Sequence, residues 1–435
     1  MNHLNQRLFT YIASSPTAFH AVSSARELLS AAGFSQLKEG DSWELQPGKG
    51  YFVTRGLSSL IAFRLPKGTD TGFQLVAAHT DSPCYKIKQK GIESCGGKYS
   101  MLDTEMYGGA IAMSWLDRPL SVAGRLMVRT TGGVEPRLVD AKKDMLVIPS
   151  LCIHQNRGVN GGIALKGQTD MLPLYSLGSS NDGLLKEMAE LAGVTQEDVL
   201  GADLYVYNRM PGTSWGPKDE LISSPRLDDL ACAFAAITAL TEADCVQNVA
   251  VSCLFDNEEV GSCTRQGADS SFLSDVLSRI DLVRGMTPEQ HLRRLSGSFM
   301  VSADNAHAAH PNHPETSDPV NRVWMNEGIV IKFSGNQKYT SDAVSGAVFR
   351  NICAANGVPV QAFYNHSDQP GGSTLGNLSG RHVSIATVDI GMAQLAMHSS
   401  WETAGAKDLD WMVRGMTAFY QTKLCCLGDC DWQIG

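Results

Sequence analysis

Short apolar runs that end in acidic or histidine side chains recur along this 435-residue chain. The run FQLVAA (73–78) leads directly to His79, and the runs NVAVSCLF (248–255) and SFMVSA (298–303) lead into acidic clusters. Such runs are typical of strands buried on both faces of a parallel sheet. Similar runs in IVIKF, VPVQAFY and VSIATVDI alternate with helical stretches such as DDLACAFAAITAL. The alternation predicts an α/β fold with a mostly parallel sheet flanked by helices.

The middle of the chain has a different pattern of predicted secondary structure. Between about residues 86 and 221, short β-like pieces (GRLMVRT, MLVIPS, LYVYN) are separated by turn-forming residues. The chain is also longer than one hydrophobic core usually organises. We therefore predict one α/β domain formed by residues 1–85 and 222–435, interrupted by an inserted β-rich domain formed by residues 86–221.

Charge and cysteine usage exclude several classes of protein. The formal net charge of -9 leaves no surplus of Lys and Arg for binding nucleic acid. No apolar run has membrane-spanning length, and the first ten residues do not resemble a secretory signal. The 11 cysteines contain no CxxC pair, and Cys152, Cys232 and Cys253 lie in apolar runs typical of a core. These features predict a cytoplasmic protein that binds neither nucleic acid nor membrane.

Five clusters of acidic and histidine residues are the best candidates for chemistry, and four of them follow an apolar run. The clusters are AAHTDSP (77–83), SPRLDDL (224–230), LFDNEEVGS (254–262), SADNAH (302–307) and LAMHSS (395–400). Ligand sites in open α/β sheets lie beyond the carboxyl ends of strands, so distant clusters can converge. An isolated acidic residue there is more often a helix cap or a solvated loop residue. Adjacent carboxylates beside a buried strand instead repel each other unless cations compensate them.

The clusters contain enough ligands for two metal ions. Two ions held about 3.5–4 Å apart need roughly two terminal ligands each and a bridging carboxylate. Five side chains meet that count, with Asp228 as the bridge: His79, Asp228, Glu259, Asp304 and His398. Asp81 is placed to accept the other ring N–H of His79, and Glu258 remains as a general base. Zinc is the favoured ion, with manganese and cobalt as alternatives.

At these residues the sequence resembles the aspartyl aminopeptidase family of metallopeptidases. The resemblance covers nearly the whole chain, in the segments SPTAFHAV (15–22), AAHTDSPCYKIK (77–88), YGGAIAMSWLDRPLSVAGR (107–125), IPSLCIH (148–154), SPRLDDL (224–230), FDNEEVGS (255–262), DNAHAAHPN (304–312), NQKYTSDAV (336–344) and QLAMHS (394–399). It implies the same five metal ligands and Glu258 as the general base. It also implies a zinc-peptidase-like catalytic domain, a dimerisation role for the insertion, and a shell of twelve subunits built from dimers.

The resemblance implies the substrate as well: peptides with a free N-terminus, from which the enzyme removes one residue, aspartate or glutamate. Its substrate pocket is implied to contain His307, Lys332 and Tyr339, with the Lys332 ammonium pairing with the acidic side chain. From the residues alone, Lys332 is equally compatible with a surface charge on an edge strand. The residue matching His154 is implied to reach the active site of a neighbouring subunit. From the residues alone, His154 is also compatible with a sixth metal ligand or a core histidine.

The sequence is also compatible with three other functions. Residues 365–376 carry Gly371-Gly372 where the family more usually has Cys-Gly, so a preference for neutral N-terminal residues is one alternative. A carboxypeptidase or N-deacylase of the related two-zinc class is another, because these enzymes share the His-x-Asp, bridging Asp and paired Glu pattern. A third alternative is a non-catalytic scaffold that keeps the fold and the shell.

Overall fold

The computed structural model describes residues 3–94, 96–178, 183–244, 246–369 and 371–435. The α-helices within them are α1 (His3–Ala13), α2 (Ala18–Ala31), α3 (Gly167–Asp170), α4 (Gly183–Leu191), α5 (Leu227–Glu242), α6 (Phe272–Val283), α7 (Pro288–Ser296), α8 (Ala343–Ala355), α9 (Leu375–Ser379) and α10 (Asp408–Gln421). None of these helices combines the length and apolar character needed to cross a membrane.

The strands fall into three larger sheets and a terminal hairpin. In the first half of the chain they are β1 (Ser35–Leu37), β2 (Gly50–Arg55), β3 (Ser59–Arg64), β4 (Phe73–His79), β5 (Cys84–Ser94), β6 (Tyr99–Tyr107), β7 (Leu120–Thr130), β8 (Gly133–Asp140), β9 (Leu174–Leu177), β10 (Val199–Asn208), β11 (Thr213–Trp215) and β12 (Leu221–Ser224). In the second half they are β13 (Val249–Phe255), β14 (Phe299–Ala303), β15 (Ala306–His307), β16 (Ile329–Phe333), β17 (Val360–Tyr364), β18 (Ala386–Gly391), β19 (Ala393–Leu395), β20 (Glu402–Gly405), β21 (Leu424–Gly428) and β22 (Asp431–Ile434).

The largest sheet has nine strands in the order β1-β2-β3-β13-β4-β14-β18-β16-β17. Five of its eight neighbouring pairs are parallel, and the central run β13-β4-β14-β18 is parallel throughout. This confirms the predicted mostly parallel sheet. Every residue of β4, β13 and β14 is buried, which explains why these strands read as continuous apolar runs rather than alternating ones.

Helices cover both faces of this sheet. On one face, α1, α2, α5, α8 and α10 enclose a core that includes Val76 and Ala78 of β4. On the other face, the core includes Leu75 and Ala77 of β4 together with residues of α6. Successive side chains of a strand point to opposite faces, so a single run of apolar residues fills both cores. The result is the predicted α/β architecture.

A six-stranded antiparallel sheet, in the order β8-β7-β10-β5-β6-β9, uses only strands from residues 84–208. Its buried side chains form a separate core that includes Val122, Leu126 and Val206. The predicted β-like piece MLVIPS is extended and makes β-bridges, but it is not a strand of this sheet. Leu146, Val147 and Ile148 make isolated bridges to three different partners, Leu120, Leu174 and Leu116, and so never form a continuous ladder.

A third sheet, in the order β11-β12-β20-β19-β15, joins chain segments that are far apart in sequence. It places the start of α5, which follows β12, beside the loop that leaves β19. The small sheet therefore delivers two of the sequence clusters to the edge of the large sheet. Elsewhere, Cys232 and Cys253 are buried as predicted, whereas Cys152 is exposed and is not a core residue.

Candidate metal centre

Three candidate residues lie at the same edge of the large sheet because their strands are parallel neighbours. His79 is the last residue of β4, Asp256 directly follows β13, and Asp304 directly follows β14. The third sheet supplies Asp228, at the beginning of α5, and His398, just beyond β19. At Asp228 and Asp229 the backbone of α5 departs from helical geometry, so these two side chains are not constrained to a regular helix face.

Asp228 lies between the two histidines. Its Oδ1 is 3.5 Å from Nε2 of His79, and its Oδ2 is 3.5 Å from Nε2 of His398. Nε2 of His398 is also 3.4 Å from Oε2 of Glu259. Within the described residues, three groups have ligand atoms within 4.8 Å of one another. His79, Asp228, Asp229 and Asp304 form the first, Asp228, Glu259 and His398 form the second, and His79, Glu258 and Glu259 form the third. The first two groups share Asp228, as a bridging carboxylate requires.

The donor chemistry of these groups fits divalent metal ions. Imidazole nitrogen and carboxylate oxygen are ligands that zinc accepts. Oδ1 of Asp228 and Oε1 of Glu259 are buried and have no hydrogen-bond partner within the described residues. A buried carboxylate oxygen without a partner is destabilising, and a cation removes that cost. All five predicted ligands belong to the two groups that contain Asp228.

The protonation states of these side chains respond strongly to their surroundings. Burial raises the pKa of Glu259 well above its usual value, and the neighbouring Asp228 carboxylate raises it further. Burial alone lowers the pKa of His398, but the hydrogen bond with Asp228 and the charge of Glu259 outweigh it and raise the pKa to about 10. His398 is therefore protonated near neutral pH, and Glu259 holds a proton more tightly than a free carboxyl group does.

Metal affinity is expected to rise with pH between pH 6 and pH 8. The pKa of His398, about 10, lies above this range. Metal binding at its ring must therefore release a proton, and one released proton gives about a tenfold gain in affinity per pH unit. Competition with a chelator of known affinity, after correction for the chelator's own protonation, measures this slope. An affinity that is flat or falls over this range would contradict the assignment of a protonated His398.

Asp81 has more partners than predicted. Nδ1 of His79 is 3.0 Å from the main-chain oxygen of Asp81 and 3.4 Å from its carboxylate. The carboxylate accepts the main-chain N–H groups of Glu258 and Glu259 at 3.1 and 3.2 Å, and the Tyr107 hydroxyl at 2.7 Å. Asp81 thus holds His79 mainly through its backbone, while its carboxylate orders the turn that carries the paired glutamates.

The predicted substrate residues lie beside Asp304. Lys332 is 2% exposed, and its Nζ donates to the main-chain oxygen of Asp304 at 2.7 Å and lies 3.7 Å from its Oδ2. The Tyr339 ring lies beneath this ammonium, 5.2 Å from Nζ. His307 packs against Phe363 with the ring centroids 6.3 Å apart. β16 lies between β18 and β17, so the alternative of a surface charge on an edge strand is wrong for Lys332.

The His154 side chain is exposed in its own chain. It belongs to a stretch, residues 149–166, in which nearly every side chain is exposed. A core position for His154 is therefore wrong. The metal-ligating groups found among the described residues do not include it, so the structure gives no support to a sixth ligand from the same chain.

Sequence reasoning missed Glu402. This residue is 1% exposed at the beginning of β20. One carboxylate oxygen accepts the main-chain N–H of Asp228 at 2.9 Å, and the other accepts that of His398 at 2.8 Å. His398 has a φ of 66°, in the left-handed region, which is costly for a residue with a side chain. Glu402 therefore holds the segments that carry Asp228 and His398 in place through their backbones.

The sequence is similar to a known family of aminopeptidases along most of its length. The sequence model of a family described as "Aminopeptidase I zinc metalloprotease (M18)" matches residues 11–420. The protein named probable M18 family aminopeptidase 2 from Clostridium acetobutylicum is 44% identical over 425 residues, covering 95% of this chain and 98% of that protein. A protein of the same name from Pseudomonas aeruginosa is 40% identical over 428 residues, covering 97% of this chain and 98% of that protein.

Solved structures share the fold over nearly the whole chain. A chain in a cryo-EM structure of the Ape4 and Nbr1 complex superposes with a TM-score of 0.91 at 34% identity, covering 96% of this chain and 85% of that chain. The mApe1 dodecamer from S. cerevisiae superposes with a TM-score of 0.83 at 28% identity, covering 96% of each chain. The similarity therefore includes both the large sheet and the insertion.

Proposed function

This chain belongs to the M18 family of zinc metallo-aminopeptidases, and on that premise we propose that it removes N-terminal aspartate or glutamate from peptides at a centre of two divalent metal ions. The observation that carries the two-metal proposal is the position of Asp228. Each of its carboxylate oxygens faces a different histidine, and the two histidines belong to different groups of ligands. A single ion does not need a carboxylate shared in this way.

We assign one ion to His79 and Asp304 and the other to Glu259 and His398, with Asp228 between them. Ions held by these residues would polarise the scissile carbonyl and stabilise the charge that develops on its oxygen. Glu258 takes a proton from the attacking water and passes it to the departing amine. Its position supports this role, because its main-chain N–H is held by Asp81 within the same turn as the ligand Glu259.

A panel of N-terminal substrates tests the aminopeptidase assignment and its specificity together. Anilides of Asp, Glu, Ala and Leu are compared with N-acetyl-Asp anilide and with peptides that differ only at the C-terminus. Cleavage that requires a free α-amine and favours Asp and Glu supports the proposal. A preference for neutral residues would support the alternative within the family. Faster cleavage of N-acetylated substrates, or release of C-terminal residues, would instead support the N-deacylase or carboxypeptidase alternative.

Replacing Lys332 with Met is expected to abolish the acidic preference. Loss of one partner of a desolvated charge pair costs about 2–5 kcal/mol, so kcat/KM for the Asp substrate should fall by about 10²-fold relative to the Leu substrate. The ratio of the two substrates is the decisive quantity, because Lys332 also bonds the backbone of Asp304, and a general disturbance there lowers both rates equally. A variant with an unchanged Asp-to-Leu ratio would remove Lys332 from the specificity pocket.

We also propose that residues 1–85 and 222–435 form the catalytic domain, that residues 86–221 mediate dimerisation, and that twelve chains assemble from dimers. The separate core of the insertion supports the division. The exposed apolar side chains Leu151, Ile153 and Ile163 support a subunit contact beside His154, which in this assembly reaches a neighbouring active site. A particle mass in solution of only one or two chains would contradict the assembly. A cytoplasmic location stays a prediction.

A further inference from the structure

A short segment of the insertion lies directly against the proposed metal centre. Tyr107 is the last residue of β6, in the six-stranded sheet. Its hydroxyl donates to Oδ2 of Asp81 at 2.7 Å and accepts from Nδ2 of Asn257 at 2.9 Å. Both partners belong to the large-sheet domain, and Asp81 also orders the turn that carries Glu258 and Glu259. The Tyr107 hydroxyl therefore crosses the boundary between the two domains.

The next residues of this segment hydrogen-bond to His398. The main-chain oxygen of Gly109 is 3.2 Å from Nδ1 of His398, and the main-chain N–H of Ile111 donates to the main-chain oxygen of His398 at 2.9 Å. A carbonyl oxygen can only accept, so Nδ1 must carry the proton in this contact. When the ring loses one proton to bind a metal ion, Nδ1 therefore keeps its proton, and Nε2, which faces Asp228 and Glu259, is the nitrogen that becomes free.

Gly108 allows this close approach. Its φ is +73°, and a Cβ added there would lie 3.0 Å from Cβ of Glu259. Any side chain would therefore push against a proposed metal ligand in addition to straining the backbone. Further along the segment, Ser114 anchors it again, because its hydroxyl accepts the main-chain N–H of Ser400 at 2.8 Å.

We propose that residues 107–111 of the insertion are positioning residues of the metal centre, so that metal affinity depends on how this segment docks on the large-sheet domain. The inference rests on the proposed two-metal function and extends it to residues outside the ligand set. The Gly109 carbonyl orients His398, the Tyr107 hydroxyl orients Asp81, and Gly108 leaves room for Glu259. Docking of the insertion and binding of metal then stabilise each other.

Two variants with matched controls test the proposal. Tyr107→Phe removes one hydroxyl, and Tyr99→Phe makes the same change at an exposed position in the same strand. Gly108→Ala adds a Cβ against Glu259, and Gly96→Ala adds one at a similar positive φ of +65° with nothing within 4 Å. Zinc affinity is measured by chelator competition, and ligand geometry by the visible absorption spectrum of the cobalt-loaded protein.

Loss of an outer partner typically weakens metal binding about 10–100-fold. We expect Tyr107→Phe at the lower end of this range and Gly108→Ala at the upper end, each with an altered cobalt spectrum, while both controls match the parent. If Gly108→Ala fails to fold, Tyr107→Phe alone decides. Parental zinc affinity and cobalt spectrum in Tyr107→Phe would overturn this inference while leaving the proposed function intact. Failure of the parent protein to bind two ions would instead overturn the proposed function.

Discussion

Replacing Asp228 with Asn is expected to release both metal ions and to reduce peptide hydrolysis to background. Both carboxylate oxygens face ligand groups, and an amide offers only one oxygen and carries no charge. Without Asp228, only His79 and Asp304 are left to bind one ion, and only Glu259 and His398 are left to bind the other. The remaining carboxylates still repel each other. The metal content found by elemental analysis should fall from about two ions per chain to almost none.

The matched control is Asp244→Asn, an exposed position just beyond the end of α5. It makes the same chemical change next to the same helix and should keep full metal content and activity. A correctly folded Asp228→Asn protein that retains two ions would show that Asp228 is not the bridge.

Replacing Glu258 with Gln is expected to lower kcat by about 10²–10⁴-fold, the usual contribution of a general acid–base group. The amide keeps the size of the side chain but cannot accept the proton. Because Glu258 is not one of the five assigned ligands, metal content should stay at the parental value. Single-turnover measurements at saturating substrate follow the chemical step directly.

Glu259→Gln provides the contrast one residue away. Glu259 lies 3.4 Å from the His398 ring nitrogen, and its loss should reduce metal content as well as rate. If Glu258→Gln loses metal and Glu259→Gln does not, the roles of the two glutamates are reversed. If Glu258→Gln keeps full activity, another group carries the proton.

Much of the fold follows from the apolar runs. Strands β4, β13 and β14 are continuous apolar segments because both faces of the sheet are covered, and their common direction brings His79 and Asp304 to one edge. Because divalent metal ions prefer histidine and carboxylate ligands, the sequence also indicates which side chains share a metal site. The local pattern of apolar residues does not predict strand pairing where each residue of a segment pairs with a different partner, as in residues 146–148.

The supporting contacts of the site could not be predicted in the same way. Glu402 and Gly109 act on the ligands through main-chain groups, which carry no signature in the sequence. Tyr107 meets Asp81 across the boundary of two domains, 26 residues along the chain. Such contacts depend on how the sheets are placed relative to each other, and no local periodicity encodes that placement. The exposure of His154 likewise reflects a surface that its own chain does not cover.

Diffraction from crystals of the zinc-loaded protein, recorded at wavelengths on both sides of the zinc absorption edge, tests the central claim most directly. We predict two anomalous peaks per chain, about 3.5–4 Å apart, with one oxygen of Asp228 directed at each peak. A single peak, or a pair of peaks that Asp228 does not separate, would contradict the two-metal centre.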